Sequence, residues 1–193
     1  MRRSISSSSC SYYERRGCAI EHSPDQNTTD LMKCLARLER SVNDGASATA
    51  RAPYDFVLVL GAFGGRLDHE MQNVNTLFSH TRSSALGRIV LLDATGWAAL
   101  LHGCGGEHTV TPRQGSKGTI GADSGTCGLV PIGGPCEHVT TTGLRWNIEG
   151  SALAFGGMVS TSNEIIGERA TVAMRGDDPA LLWTSVFRDD AWT

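Results

Sequence analysis

FVLVLGAFGGRLDHEMQNVNTLF, residues 56–78, decides how this chain is read. Phe56 to Leu60 is a short apolar run bounded by a turn signal, the pattern of a strand. Glycines 61, 64 and 65 follow. An apolar-periodic segment then runs over roughly 68–80, with Met71, Val74, Leu77 and Phe78 on one side. The order is strand, glycine-rich turn, helix. Glycine lets a backbone approach a ligand closely and adopt positive φ, and a helix N-terminus offers unpaired N–H groups to an anion. Arg66 and Asp68 lie in the same turn, so a cation and a carboxylate reach the helix start together. These parts suit a phosphate site, and they also suit a plain αβ loop with a salt-bridged aspartate. The spacing matches neither Gly-x-Gly-x-x-Gly nor the P-loop, which needs a lysine after its last glycine.

Upstream, residues 23–27 read as a loop. Thr28 or Thr29 can cap a helix whose stripe is Leu31, Cys34, Leu35, Leu38 and Val42, with Cys34 a buried thiol. Residues 43–54 break it as a surface loop. Downstream, Arg88 to Asp93 is a second strand. After Gly96 the pattern changes to short runs at 97–101, 108–110, 126–132, 138–141, 152–155, 170–174 and 181–187, separated by Gly, Pro, Asp and Asn. Such spacing argues a β-sandwich or barrel. The boundary between the two patterns falls near 94–104.

The chain has 193 residues, enough for one large or two small domains with a sizeable core. Its 17 basic and 20 acidic residues leave a net charge of −3, which points to neither a nucleic acid nor an anionic membrane as partner. A charged fraction of 19% with 23 glycines favours a turn-rich globular protein over a coiled coil or disordered chain. Cysteines 10, 18, 34, 104, 127 and 136 include no C-x-x-C pair, which argues against a zinc ribbon or redox dithiol. With no secretory apolar core and no apolar run of about 18 residues, the expectation is a cytoplasmic protein with reduced thiols. MRRSISSSSCSYY, basic, serine-rich and acid-free, partly resembles an organelle transit segment; an incomplete start is the competing expectation.

Two further groups carry possible chemistry. Asp25, Gln26 and Asp30 lead into the first helix, where Mg²⁺ could be held by one or two acids together with phosphates and water. On the residues alone, helix capping by acids is the simpler account. Trp146 with Ser160, Thr161, Ser162 and Asn163 offers an indole face, hydroxyls and an amide to a flat cationic ligand. A core tryptophan beside a polar turn is again the simpler account. Packing suffices for Trp97, Trp183 and Trp192.

Five blocks in order change those weights. GAFGGRLDH resembles the G-x-x-G-G-R-x-D-[HQ] loop of the thiamine pyrophosphokinase family, and PDQNTTD at 24–30 resembles its D-[KQ]-D-x-T-D segment. LVPIGGPCEHVTTTGLRWNI at 129–148, LAFGGMVSTSNE at 153–164 and PALLWT at 179–184 resemble its thiamine-binding half. The likeness runs from about Tyr12 to Phe187. It implies an α/β plus β fold: a partial doubly wound α/β nucleotide domain over 12–95, followed by a thiamine-binding β-sandwich over 96–188. It implies transfer of a diphosphoryl group from ATP to thiamine, with Mg²⁺ as cofactor and a homodimer whose sites combine both halves. Arg66, Asp68 and Asp30 become expected catalytic residues, Gln26 and Arg66 ATP contacts, Asp30 and Asp25 metal ligands, and Trp146, Ser160 and Asn163 the vitamin's contacts. Asn27 stands where the family has an acid. The family's G-D-x-D-S motif, whose aspartates bind magnesium, does not occur in these 193 residues. The alternative reading is therefore a thiamine-binding paralogue without turnover.

Overall fold

The computed structural model describes residues 6–45, 54–80, 86–103, 106–112 and 123–187. Cys104 and Trp192 lie outside them. The chain divides into two compact units, residues 1–37 and 38–193.

The first unit opens with α1 (Ser7–Glu14), capped by the Ser6 hydroxyl, which accepts from the Ser9 N–H. The Arg16 guanidinium lies 3.6 Å from the Tyr12 ring centre, and the Tyr12 and Tyr13 rings meet edge to face. Nothing in the apolar spacing signals α1: none of its residues is buried. A loop follows, and α2 (Asp30–Gly45) begins with Thr29 as its cap, the Thr29 hydroxyl accepting from the Met32 N–H at 3.4 Å. Leu35 is buried, whereas Cys34 is exposed, contrary to the sequence expectation. The stripe is Leu31, Leu35, Leu38 and Val42. Cys34 lies about 70° round the helix from its centre at ~100° per residue.

In the second unit, β1 (Phe56–Leu60) runs parallel to β2 (Arg88–Leu92), with α3 (Leu67–His80) as the crossover. Val74, Thr76 and Leu77 bury one face of α3, while Met71, expected in that face, is exposed. Antiparallel β3 (Gly96–Leu101) continues the sheet from β2, with Val90 opposite Ala99. Then come β4 (Glu107–Val110), β5 (Asp123–Val130), β6 (Cys136–Thr142), β7 (Ser151–Leu153), β8 (Ser160–Glu164), β9 (Ala170–Ala173) and β10 (Leu181–Phe187). One sheet has the order β1-β2-β3-β10-β5-β8 and the other β4-β9-β6-β7. The six-stranded sheet thus crosses the 94–104 region without a break.

The two sheets share a core of Leu101, Cys127, Leu129, Val139, Leu153, Val172, Leu181 and Trp183, among others. Alternating side chains from the facing sheets fill it, as a sandwich requires. β10 is central, paired with β3 on one side and β5 on the other. That position explains why it is apolar on both faces. The sheet ends on β1, which shows Phe56, Leu58 and Leu60 to solvent. This is the exposed, uncharged edge that makes a strand prone to pair with another chain. β8 escapes the apolar pattern altogether, because STSNE is polar and lies at the opposite edge.

Candidate functional site

The glycine loop sits where β1 and β2 end. The Gly61 N–H donates to the Leu92 carbonyl at 2.9 Å, and the Asn73 amide donates to the Ala62 carbonyl at 2.8 Å, so α3 and β2 both hold the loop. Gly64 has φ +89, a conformation that a side chain would strain. Its N–H and that of Gly65 converge on one oxygen, Glu70 Oε1, at 2.8 and 3.0 Å. Two adjacent amides aimed at one anionic oxygen form an anion nest. Here the helix's own Glu70 supplies the anion. Sequence reasoning passed over Glu70; an acid in the first turn of a helix after a glycine pair is the signal that could have marked it.

Arg66 and Asp68 meet as a two-pronged pair, with Nε to Oδ1 at 3.0 Å and Nη2 to Oδ2 at 2.5 Å. The hydrogen bond from Arg66 holds the Asp68 carboxyl below its ordinary pKa, and Asp68 raises that of Arg66. Both side chains are exposed, so a phosphate can compete for the guanidinium. Asp93 follows β2 directly. Its Oδ1 accepts from the Thr95 N–H, the Thr95 hydroxyl and the Gly96 N–H, all within 3.1 Å. Its Oδ2 faces the loop, 3.9 Å from where a Cβ on Gly64 would lie. Burial pushes the Asp93 pKa up, but the Thr95 and Gly96 hydrogen bonds outweigh it and leave the carboxyl ionised below the usual range. An acid that closes a strand reads as an ordinary turn residue, so the sequence gives Asp93 no weight.

The second cluster is built around Asn163. Gly143, at φ +74, ends β6; a Cβ there would lie 2.2 Å from the Arg169 carbonyl oxygen. This turn lets 144–148 fold back, with Asn147 Oδ1 accepting from the Leu144 N–H and the Thr141 hydroxyl accepting from the Ile148 N–H. On β8 the pairing with β5 shifts between Cys127 and Leu129, and Ser162 has φ 54. Such a bulge re-aims side chains, and here the residue beyond it, Asn163, is only 3% exposed. Asn163 Oδ1 accepts from the Trp146 and Glu164 N–H groups, at 3.2 and 2.9 Å. Its Nδ2 donates to the Trp146 carbonyl at 2.8 Å and the Ser160 hydroxyl at 3.2 Å. Two donors and two acceptor positions are all an amide side chain has. Trp146, by contrast, is 59% exposed. Arg145 lies 5.6 Å from its ring centre and pairs with Glu164 at 2.7 Å. Trp146, Ser160 and Asn163 therefore form one cluster, in which the indole is the exposed part.

In the first unit, Asp25 folds its own loop. One oxygen accepts from the Asn27 N–H at 2.8 Å and the other from the Thr28 hydroxyl, and these bonds lower its pKa. The Gln26 amide donates to the Pro24 and Asp25 carbonyls. Asp30 is exposed, with Lys33 at 3.8 Å. Among the described residues, no three His, Cys, Asp or Glu side chains gather as a metal site. This donor set fits Mg²⁺ only as a phosphate- and water-rich ion touching one carboxylate, and Asp30 has its oxygens least engaged.

Residues 3–87 match the thiamin pyrophosphokinase catalytic domain, and residues 107–177 match the thiamin pyrophosphokinase vitamin B1 binding domain. The chain is 37% identical over 179 residues to thiamine pyrophosphokinase 1 of Oryza sativa subsp. japonica, covering 92% of this chain and 61% of that protein. It is 36% identical over 165 residues to thiamine pyrophosphokinase 2 of Arabidopsis thaliana, covering 86% and 55%. Its fold is similar to that of the yeast enzyme's crystal structure, with a TM-score of 0.76 at 20% identity over 97% of this chain and 68% of that one. Thiamin pyrophosphokinase from Candida albicans gives the same TM-score at 21% identity, over 96% and 71%. The chain belongs to the thiamine pyrophosphokinase family and spans roughly three-fifths of the length of the rice relative.

Proposed function

We propose that this chain acts as a thiamine diphosphokinase, converting ATP and thiamine to AMP and thiamine diphosphate. The observation that carries the reading is Trp146: an indole left largely open while Asn163 fixes its backbone on both sides. A flat aminopyrimidine with a cationic thiazolium is matched by such a face through stacking and cation–π attraction, together worth about 1–3 kcal/mol. The Ser160 hydroxyl lies in the same cluster and orients the ring by hydrogen bonding. Asn163 acts through Trp146 instead of touching the vitamin.

The division of labour follows the two sequence patterns. Residues up to about 95 handle phosphate and residues from about 96 hold the vitamin. In the reaction the thiamine hydroxyl oxygen bonds to the β-phosphorus, the bond from that phosphorus to the α-bridging oxygen breaks, AMP leaves, and the hydroxyl proton passes to water. Little covalent work falls to the protein; positioning and charge neutralisation dominate. Arg66 clamps phosphate oxygens bidentately. Asp68, held ionised by Arg66, orients that guanidinium and is a weak base at best. The Gly64 and Gly65 amides receive a phosphate oxygen when Glu70 releases them. Gln26 contacts ATP. Asp30, with phosphates and water, would hold Mg²⁺ and Asp25 would shape that loop; the ion would supply neutralising charge. The five described cysteines are free thiols, and a cytoplasmic setting is part of the proposal. A homodimer follows from the family resemblance.

A reading as a thiamine-binding chain without turnover has one observation in its favour: both oxygens of Asp25 and of Asp68 are already engaged by the chain itself. One sample assayed for thiamine binding by calorimetry and for AMP release separates the two. Binding with AMP supports the enzyme, binding without AMP supports the second reading, and neither activity in folded protein removes both.

A further inference from the structure

Away from the glycine loop, a cavity of about 130 Å³ is lined by Leu77 of α3, Gly87, Arg88 and Ile89 of β2, Leu100 and His102 at the end of β3, and His108 of β4. Arg88 opens β2 and Asp93 follows its last residue, so the cavity lies at the end of the strand remote from the candidate phosphate loop, about 16 Å away at ~3.3 Å per residue. Nothing in the proposed function uses these residues.

We propose that this cavity is a second anion site, which holds a tetrahedral oxyanion of the phosphate class between Arg88, His102 and His108. Three cationic or cationisable residues line one space, and no carboxylate among the described residues lines it. Arg88 has no carboxylate partner among the described residues. His108 Nε2 lies 2.6 Å from the His102 carbonyl oxygen and donates its proton there. That bond anchors the His108 ring beside His102; Nδ1 donates to an oxyanion in the imidazolium form, in which both ring nitrogens carry a proton. Burial, then His108 and Arg88, lower the pKa of His102. Like charges gathered in a half-buried space repel, and an anion among them relieves that repulsion. Leu77, Ile89 and Leu100 supply apolar walls that weaken screening by water. Arg88 provides the planar donor fork that suits phosphate. A space of about 130 Å³ has room for a phosphate or the phosphate end of a monoester. Binding there would tie β4 of one sheet to β2 and β3 of the other.

The test is a titration of the full chain with inorganic phosphate and, separately, glycerol phosphate, read on the imidazole signals of His102 and His108 by NMR. Arg66→Gln and Arg88→Gln are titrated in parallel, and a melting curve confirms that each is folded. Saturable movement of both histidine signals is expected. It should be weakened about tenfold or more by Arg88→Gln, the loss of one charge-assisted contact, and kept in Arg66→Gln. Tighter binding of glycerol phosphate assigns a monoester, and tighter binding of inorganic phosphate assigns the free ion. Histidine signals that stay still under both titrants, or that move equally in wild type and Arg88→Gln, overturn the proposal. Failure here leaves the thiamine reading untouched, since none of these residues belongs to it.

Discussion

Replacing Asn163 with alanine separates a residue that touches the ligand from one that holds the residue touching it. The side chain is buried and makes four hydrogen bonds: two to the backbone of Trp146, one to Ser160 and one to Glu164. Alanine orphans the Trp146 N–H and carbonyl. Each unsatisfied buried group costs about 1–3 kcal/mol, and the open setting of Trp146 lets some water in. The expected loss is about 2–4 kcal/mol of unfolding free energy, a fall in Tm on the order of 5–15 °C for a unit of this size. Trp146→Ala should cost no more than ~0.5 kcal/mol in stability, because the indole is mostly exposed. It should nevertheless weaken thiamine binding by about 1–3 kcal/mol. Urea unfolding and calorimetric titration of both single variants and the double variant close the cycle. Non-additive binding losses are expected, since Asn163→Ala already disorders Trp146. An Asn163→Ala protein of wild-type stability that loses thiamine additively with Trp146→Ala would refute the reasoning and make Asn163 a direct contact.

Glu70→Gln keeps the shape of the loop but removes the charge that occupies the Gly64 and Gly65 amides; ATP affinity by calorimetry should rise severalfold at unchanged Trp146-dependent thiamine binding, whereas weaker ATP binding would show that Glu70 supports the nucleotide. Ser162→Gly should stabilise the fold by up to about 1 kcal/mol by relieving a left-handed backbone, and Ser162→Val should destabilise it, as read by denaturant midpoints. Burial raises the thiols of Cys127 and Cys136 to about 11. Folded values above the unfolded one mean that this stability is present below about pH 9 and lost as pH rises through about 11. Iodoacetamide at pH 8 should label Cys18 and Cys34 and spare Cys127 and Cys136, as mass spectrometry would show; equal labelling in folded protein contradicts the packing.

What could be read in advance followed from local chemistry. β1, the glycine loop and α3 are legible because an apolar run, three glycines and a 3.6-residue period are each properties of adjacent residues. Most sandwich strands are legible for the same reason. α1 and β8 are not, since neither buries an apolar stripe, and β8 owes its place to pairing with β5 across a bulge. Trp146, Ser160 and Asn163 were grouped through the family blocks, yet their ranks within the cluster depend on register: the amide at 163 is spent because the bulge at Ser162 turns it inward. Glu70 and Asp93 escaped notice because their partners, the loop amides and the turn after β2, come together only when the two parallel strands end side by side. Cys34 shows how finely a helical stripe must be measured, for one position off its centre is enough to put a thiol in water.

The most direct test is to incubate the purified chain with ATP, Mg²⁺ and thiamine and quantify every product by chromatography. AMP and thiamine diphosphate should appear in equal amounts, both lost together in Trp146→Ala at low thiamine. ADP with thiamine monophosphate, or no thiamine-dependent product from folded protein that fails to bind thiamine, would contradict that expectation.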